Sequence, residues 1–440
     1  MRVATYEHAK GGGTASELLT SIARSAMLPV QGLIAAPHLL FVATLALMLF
    51  HSPDAPVPPY DRFALGILVF VVLLRVCVLR EGFHLGAPIT APLFSLLLLA
   101  LSDVLMQPYK AETWSVFAAE WVVPFVLYVL AARIFDDEIG IREFEIFALL
   151  VFAYLSLTSI FFLIGAKALI FPRFILDESV GIHFDRARGP FLQAVANGVA
   201  LNLLGLIALD SFRRRRLRGI FAAGLLAGFP LAILATKTRA VWLSFAVSIM
   251  ALPFFCLNRR LRRACIGMIV CGAFGLLAFN AFTDHPRSLK ERLEENGPVK
   301  FRTAIYQAGW EMFLKKPVRG WGAAAMQVEL SRRIGDFQQE KYYFHNTYLE
   351  ILVQYGLIGL GLFLWVVIDL FRVGRRAKGI CSQHGSFLDE EFRSLWPVLV
   401  MVYLLNASFV VMNYQFVNGL LFTVAGMLNA QNQQAELSAS

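Results

Sequence analysis

HNTYLEILVQYGLIGLGLFLWVVIDLFRVGRR, residues 345–376, decides the fold. From Thr347 to Phe371 the run exceeds the roughly 20 apolar residues that a helix needs to cross a bilayer. It closes on Arg372, Arg375 and Arg376, with Lys378 just beyond. Basic residues in a short connection mark the cytoplasmic end of a span, so His345-Asn346 faces outward. An imidazole with an unperturbed pKa of about 6.5 thus sits at the mouth of an apolar segment, where it can take a proton near neutral pH. Asn346 is a natural helix cap. On a continuous helix of about 100° per residue, Gly356 and Gly359 return close to the azimuth of His345. The histidine then crowns a small-residue ridge against which a neighbouring helix can pack closely.

The rest of the chain has the same character. Of 440 residues, 58% are hydrophobic and 16% charged, mean hydropathy is +0.62, and phenylalanine occurs 38 times. A soluble domain cannot hide that much apolar surface, so the bilayer is its expected solvent. Twelve spans are expected, near 28–50, 63–79, 86–106, 114–133, 146–169, 190–210, 219–236, 240–257, 264–282, 347–371, 394–413 and 415–430. The first shows no small-residue cleavage pattern and reads as an uncleaved span. The formal charge of +9 does not imply nucleic acid, because the basic residues cluster in short connections. Arg213 to Arg216 with Arg218, and Arg259, Arg260, Arg262 and Arg263, follow even-numbered spans, as the group at 372–378 does. Those connections and both termini are therefore expected to be cytoplasmic. The connections 51–62, 107–113, 170–189, 237–239 and 283–346, and the tip at Asn413-Tyr414, then face outward. The five cysteines, Cys77, Cys256, Cys265, Cys271 and Cys381, lack metal-ligand spacing and are expected to be free thiols.

The expected architecture is an all-α integral membrane protein of about twelve transmembrane helices, with one large, partly helical loop between the ninth and tenth. Residues 1–282 carry the first nine helices, 283–346 the loop, and 347–440 the last three. Within the loop a helix is expected from Val299 to Leu314, with Ile305, Ala308, Met312 and Phe313 as its apolar stripe. Lys315-Lys316-Pro317 ends it and Gly320-Trp321-Gly322 makes a turn.

Several outward cations are candidates for a phosphate-bearing lipid. The loop holds Lys290, Arg292, Lys300, Arg302, Lys315, Lys316, Arg319, Arg332, Arg333 and Lys341. For most of these a solvated surface is explanation enough, and two or three aimed at one place suffice for a phosphate. Arg239, in Thr236-Lys237-Thr238-Arg239, lies at the hydrocarbon edge, where an unpaired guanidinium is costly. It can serve as a snorkelling anchor or as a phosphate clamp. Arg186 and Arg188 precede Gly189-Pro190 in another outward connection. Asp103 and Glu120 lie in or near apolar spans without an evident partner. The chain shows no GxxxxGK[ST] loop, no HExxH, no serine-hydrolase elbow and no outward Asp-x-Asp pair, so metal-free chemistry is expected.

These residues resemble a known family. His345-Asn346, nine residues, then Gly356-x-x-Gly359 is similar to the signature of O-antigen ligases and related bacterial oligosaccharyltransferases. Arg239-Ala240-Val241-Trp242-Leu243 resembles their Arg-x-x-x-Leu element. Arg302 with Trp310, Pro317, Gly320 and Gly322 resembles the loop segment shared by O-antigen ligases and polymerases. The likeness spans roughly 180–365. It implies a glycosyltransferase-C-like enzyme of the bacterial inner membrane, with a periplasmic active site and no cofactor, metal or nucleotide. The implied donor is a glycan on undecaprenyl pyrophosphate and the implied acceptor a sugar hydroxyl of lipid A–core, with inversion at the donor's anomeric carbon. By this resemblance His345 is the general base and Arg239 and Arg302 stabilise the pyrophosphate. Arg186, Arg188, Lys237, Tyr306, Trp310 and Asn346 are expected to contact substrate. Arg188-Gly189-Pro190-Phe191 matches a polymerase-type Arg-x-Gly-Thr-Phe element only in part, with proline for threonine. An O-antigen polymerase and a protein O-oligosaccharyltransferase are the sibling alternatives. A lipid or solute transporter is the non-enzymatic one, but the inverted repeats it would show are not found.

Overall fold

The computed structural model describes residues 36–51, 58–79, 88–255, 258–282, 297–334, 343–375 and 387–439. Their regular secondary structure is entirely helical. In chain order the long helices are α1 (Pro37–Phe50), α2 (Tyr60–Leu79), α3 (Thr90–Leu105), α4 (Ala111–Ile134), α5 (Glu138–Leu163), α6 (Ala194–Arg213) and α7 (Gly219–Ala235). They continue as α8 (Arg239–Phe255), α9 (Arg259–Phe282), α10 (Gly297–Lys315), α11 (Ala323–Arg333), α12 (Thr347–Val373), α13 (Glu390–Ala407) and α14 (Gln415–Ala439). Each of the twelve apolar segments contains a helix. Among the described residues four helices, α4, α5, α6 and α12, are long and apolar enough to cross a membrane. Large apolar side chains such as Phe70, Phe221 and Phe254 point outward. Water does not support such a surface, and lipid does.

Helix α6 is the axis of the bundle. Its most apolar stretch is buried throughout, and it packs against α5, α7, α8, α13 and α14. Small residues permit this crowding: a Cβ on Gly198 would meet the Val241 side chain at 2.5 Å, and one on Gly205 the Phe229 ring at 2.2 Å. At the C-terminal end of α6 two arginines close a buried ionic network. Arg213 donates to Asp210, Asp389 and Glu391 at 2.8, 2.6 and 2.8 Å. Arg214 donates to Asp210 at 2.7 Å and to Glu145 at 2.6 Å. Part of the basic cluster after α6 is therefore spent on tying α5, α6 and the N-terminus of α13 together.

Helix limits differ from the hydropathy reading where side chains cap them. Helix α5 begins at Glu138 rather than near 146, because the Asp137 carboxylate accepts from Gly140 N at 2.7 Å. Likewise α13 begins at Glu390, capped by Asp389, which accepts from Phe392 N at 2.9 Å. Hydropathy windows do not register such polar caps. The loop helix α10 matches its expectation closely, and Ile305, Ala308, Met312 and Phe313 are all buried. Helix α11 was not anticipated. Asp103 of α3, for which the sequence suggests no partner, caps it from outside by accepting from Ala323 N at 2.8 Å.

The continuous-helix reading of 345–359 is corrected. His345 precedes α12 in a left-handed conformation (φ 51°), and α12 breaks at Gly356 (φ 66°, ψ −160°). No small-residue ridge runs up to the histidine. The break is filled by the backbone of the α10–α11 connection. Leu357 N donates to Pro317 O at 2.8 Å, Trp321 N to Val353 O at 2.9 Å, and Gly322 N to Gln354 O at 2.9 Å. These bonds satisfy backbone groups that the broken helix leaves open. A Cβ on Gly356 would lie 2.3 Å from Val318 O, and one on Gly320 2.4 Å from Gln354 O. Gly356→Ala is expected to destabilise the protein by about 1–3 kcal/mol from backbone strain alone, before any undocking of the connection. Gly361, with nothing within 4 Å of its Cβ position, is the control. Thermal unfolding in detergent should separate the two alanine variants, and equal midpoints would refute the docking role.

Candidate active site

Three connections converge where α7 ends and α8 and α12 begin. The α5–α6 connection is held rigid by Arg188, which is almost wholly buried. Its guanidinium donates to Ile175 O at 3.0 Å, to Val180 O at 2.6 Å and to Asp177 O. Next to it, Ala187 N donates to Ala235 O at 3.1 Å, and Asn197 Nδ2 to Ala187 O at 2.9 Å. The connection is thereby fastened to α7 and α6, and Arg186 is placed on the cavity side.

The α7–α8 turn is short. Lys237 takes a left-handed conformation (φ 46°), and the Thr238 hydroxyl donates to Thr236 O at 2.9 Å. Trp242 Nε1 donates back to Ile233 O at 3.0 Å, which pins the first turn of α8. Arg239 is the first residue of α8, so its guanidinium adds to the partial positive charge of a helix N-terminus.

Asn346 caps α12 by accepting from Leu349 N at 3.0 Å. The Thr347 hydroxyl donates to Val410 O at 2.8 Å and accepts from Met412 N at 3.1 Å, fixing this end of α12 to the α13–α14 connection. From α10, Tyr306 donates to the His345 carbonyl at 3.4 Å. The His345 imidazole is half-buried, and its pKa is lowered from the ordinary value, first by burial and second by the positive charge of Arg302. Four chamber-lining residues without the freedom of glycine, His183, Leu192, Lys237 and His345, thus hold left-handed backbone, a strain that concentrates at functional sites.

These segments enclose a cavity of about 1290 Å³. His345, Arg239, Arg302, Arg186 and Lys237 all line it. Four of the expected residues do not line it. Arg188 is the internal clamp just described. Asn346 is a helix cap and Tyr306 braces the His345 backbone. Trp310 is exposed and lies against Phe313 at 5.2 Å between ring centroids. Of the remaining loop cations, Lys290, Arg292 and Lys341 lie outside the described residues. Arg333 pairs with Glu311 and Glu329, both at 2.8 Å. Among the cavity-lining residues five carry a permanent positive charge and one, Glu112, a carboxylate.

The sequence reading missed one side of this chamber: His51, Arg62, Glu112 and Ser115, on the α1–α2 connection, α2 and α4. The available signal was topological, because the connections 51–62 and 107–113 were both expected to face outward. Glu120 lies in the π-helical turn Ala118–Val122 of α4 and shares a small separate cavity with Glu350, Tyr355 and Tyr403. Among the described residues no group of three or more His, Cys, Asp or Glu side chains is placed to hold a metal ion. Cys77, Cys265 and Cys271 are free thiols, and Cys256 and Cys381 lie outside the described residues.

Fold and site together define an all-helical membrane protein with a cationic chamber at one end of its bundle. Residues 222–364 match the protein family described as O-Antigen ligase. The resemblance to the O-antigen ligase superfamily therefore rests on a family match as well as on the motifs, and the family points to a glycosyltransferase-like ligase activity. The matched segment contains Lys237, Arg239, Arg302 and His345, whereas Arg186 and the α1–α4 side of the chamber fall outside it. No curated protein matches the chain.

Proposed function

We propose that this protein is an O-antigen ligase. It moves a glycan from undecaprenyl pyrophosphate to a sugar hydroxyl of lipid A–core at the periplasmic face of the inner membrane, within a frame of twelve transmembrane helices. The observation that carries the reading is that His345, Arg239 and Arg302, from three separate segments, line one cavity. The donor is already activated, so neither nucleotide nor metal is required. In a direct displacement the acceptor oxygen bonds to the anomeric carbon as the bond from that carbon to the phosphate oxygen breaks, inverting the centre. The acceptor proton passes to the neutral His345 imidazole. The released pyrophosphate takes the bonding electrons, and Arg239 and Arg302 offset the charge that develops, with Arg186 and Lys237 assisting.

Reconstitution with a polyprenyl-pyrophosphate glycan and a panel of acceptors tests this directly. Lipid A–core should gain the mass of the glycan, and a chelator should not stop it. Growth of the lipid-linked glycan itself would identify a polymerase, and a modified protein would identify a protein glycosyltransferase. Activity lost with the chelator and restored by a metal would refute the metal-independent mechanism.

The pH profile has a definite sign. The base must be unprotonated, and burial and Arg302 both lower the pKa of His345 below its ordinary 6.5. At neutral pH the imidazole is therefore mainly in its working form, and transfer falls only as pH drops through the lowered pKa. Arg302→Met removes one of the two causes. The acid limb of its residual activity should move upward, toward but not reaching the ordinary value, because burial remains. A limb that stays in place or moves down contradicts the assignment.

A further inference from the structure

The chamber has two kinds of wall. Arg186, Lys237, Arg239 and Arg302 supply cations from the α5–α6 connection, the α7–α8 turn and α10. The side built by α2, α4 and the end of α1 is chemically different. It carries Glu112, the lining's carboxylate, in the same short stretch of helix as Ser115. Arg62 reaches over from α2 and donates to the Ser115 hydroxyl at 3.2 Å.

Behind this side lies Asp61, which is 1% exposed. One of its oxygens accepts from Gln415 Nε2 at 2.8 Å. The other faces His51 Nδ1 at 3.6 Å, and neither of those two atoms has a hydrogen-bond partner among the described residues. A buried carboxylate is costly unless it is engaged. Here it is aimed at an imidazole that lines the chamber. With Nδ1 turned toward Asp61, Nε2 is the polar atom of the ring left for the cavity.

A pyrophosphate is repelled by a carboxylate, so it must settle among the four cations and away from Glu112. A neutral sugar has the opposite preference. Its hydroxyls both donate and accept, and a carboxylate, a guanidinium, a hydroxyl and an imidazole together satisfy both roles.

We propose that His51, Arg62, Glu112 and Ser115 form the subsite that binds the acceptor sugar, with Asp61 positioning His51. This rests on the transfer reaction proposed above and adds to it a division of the chamber into a donor side and an acceptor side.

Binding measured without turnover separates the two ideas. The full chain in lipid nanodiscs is titrated with lipid A–core and, separately, with an undecaprenyl-pyrophosphate glycan. Arg62 and Glu112 are exposed, so Arg62→Met and Glu112→Gln do not empty a packed core. Each is expected to weaken lipid A–core binding about tenfold, as the loss of a hydrogen bond to a charged group does, and to leave donor binding within about twofold. Arg239→Met should show the reverse pattern. Wall variants that weaken the donor as much as the acceptor, or that leave acceptor binding unchanged, overturn the subsite. A wild-type protein that binds lipid A–core but not the polyprenyl glycan overturns the donor assignment, while the acceptor series still reports on the wall. No binding of lipid A–core by the wild type overturns the subsite outright.

Discussion

His345→Ala is expected to lower glycan transfer by about 10²–10⁴-fold, the usual contribution of a positioned general base. The effect should appear in kcat, because the imidazole acts on a proton that moves only as the new bond forms. Folding should survive, since the side chain is only half-buried. The fixing of this end of α12 runs through Asn346 and Thr347 instead. In cells, a strain carrying the variant should make lipid A–core without long O-antigen and accumulate lipid-linked polymer, at normal membrane levels of the protein. Full-length capped lipopolysaccharide in that strain would dismiss His345 as the base. The same chamber holds His51 and His183, so His51→Ala is the informative companion. On the division proposed above it should raise the acceptor KM more than it lowers kcat.

Arg239→Met is expected to reduce kcat by about 10²–10³-fold, comparable to removing one fixed donor from a site where negative charge develops. Three features make this position demanding. The guanidinium sits at a helix N-terminus, the backbone just before it is left-handed at Lys237, and Trp242 locks the turn. Lysine should recover little, because an ammonium lacks the planar fork that holds two phosphate oxygens together. Combining Arg239→Met with Arg302→Met should cost less than the product of the single effects if both face one pyrophosphate, because neighbouring residues couple. Single-turnover measurements with lipid-linked glycan would show this, and strict additivity would place the two arginines on different charges.

The helical segments were legible because they depend on local composition. Runs of apolar residues mark the twelve segments, and a 3.6-residue period in Ile305, Ala308, Met312 and Phe313 marks the buried face of α10 before any partner is known. The catalytic candidates were legible for a related reason. A histidine and an arginine at the mouths of apolar runs are costly, and they stand out against 58% hydrophobic residues. Arg186 and Arg188 show the limit of that reading. They are two residues apart and chemically identical, yet one lines the chamber and the other is consumed by three carbonyls of its own connection.

What the sequence determined by itself was the helices of the twelve apolar segments, the loop helix α10 with its apolar face, and the cations and imidazole that needed a reason to exist. Local hydropathy and periodicity suffice for that. Tertiary structure alone decided the rest. Gly356 breaks α12 because residues 317–322 dock there, and Asp103 caps a helix more than two hundred residues away. The side of the chamber that carries Glu112 gathers the end of α1, α2 and α4 beside residues drawn from the middle of the chain. Each of these depends on a partner distant in sequence, and no local window carries the energy of a contact whose other half lies elsewhere.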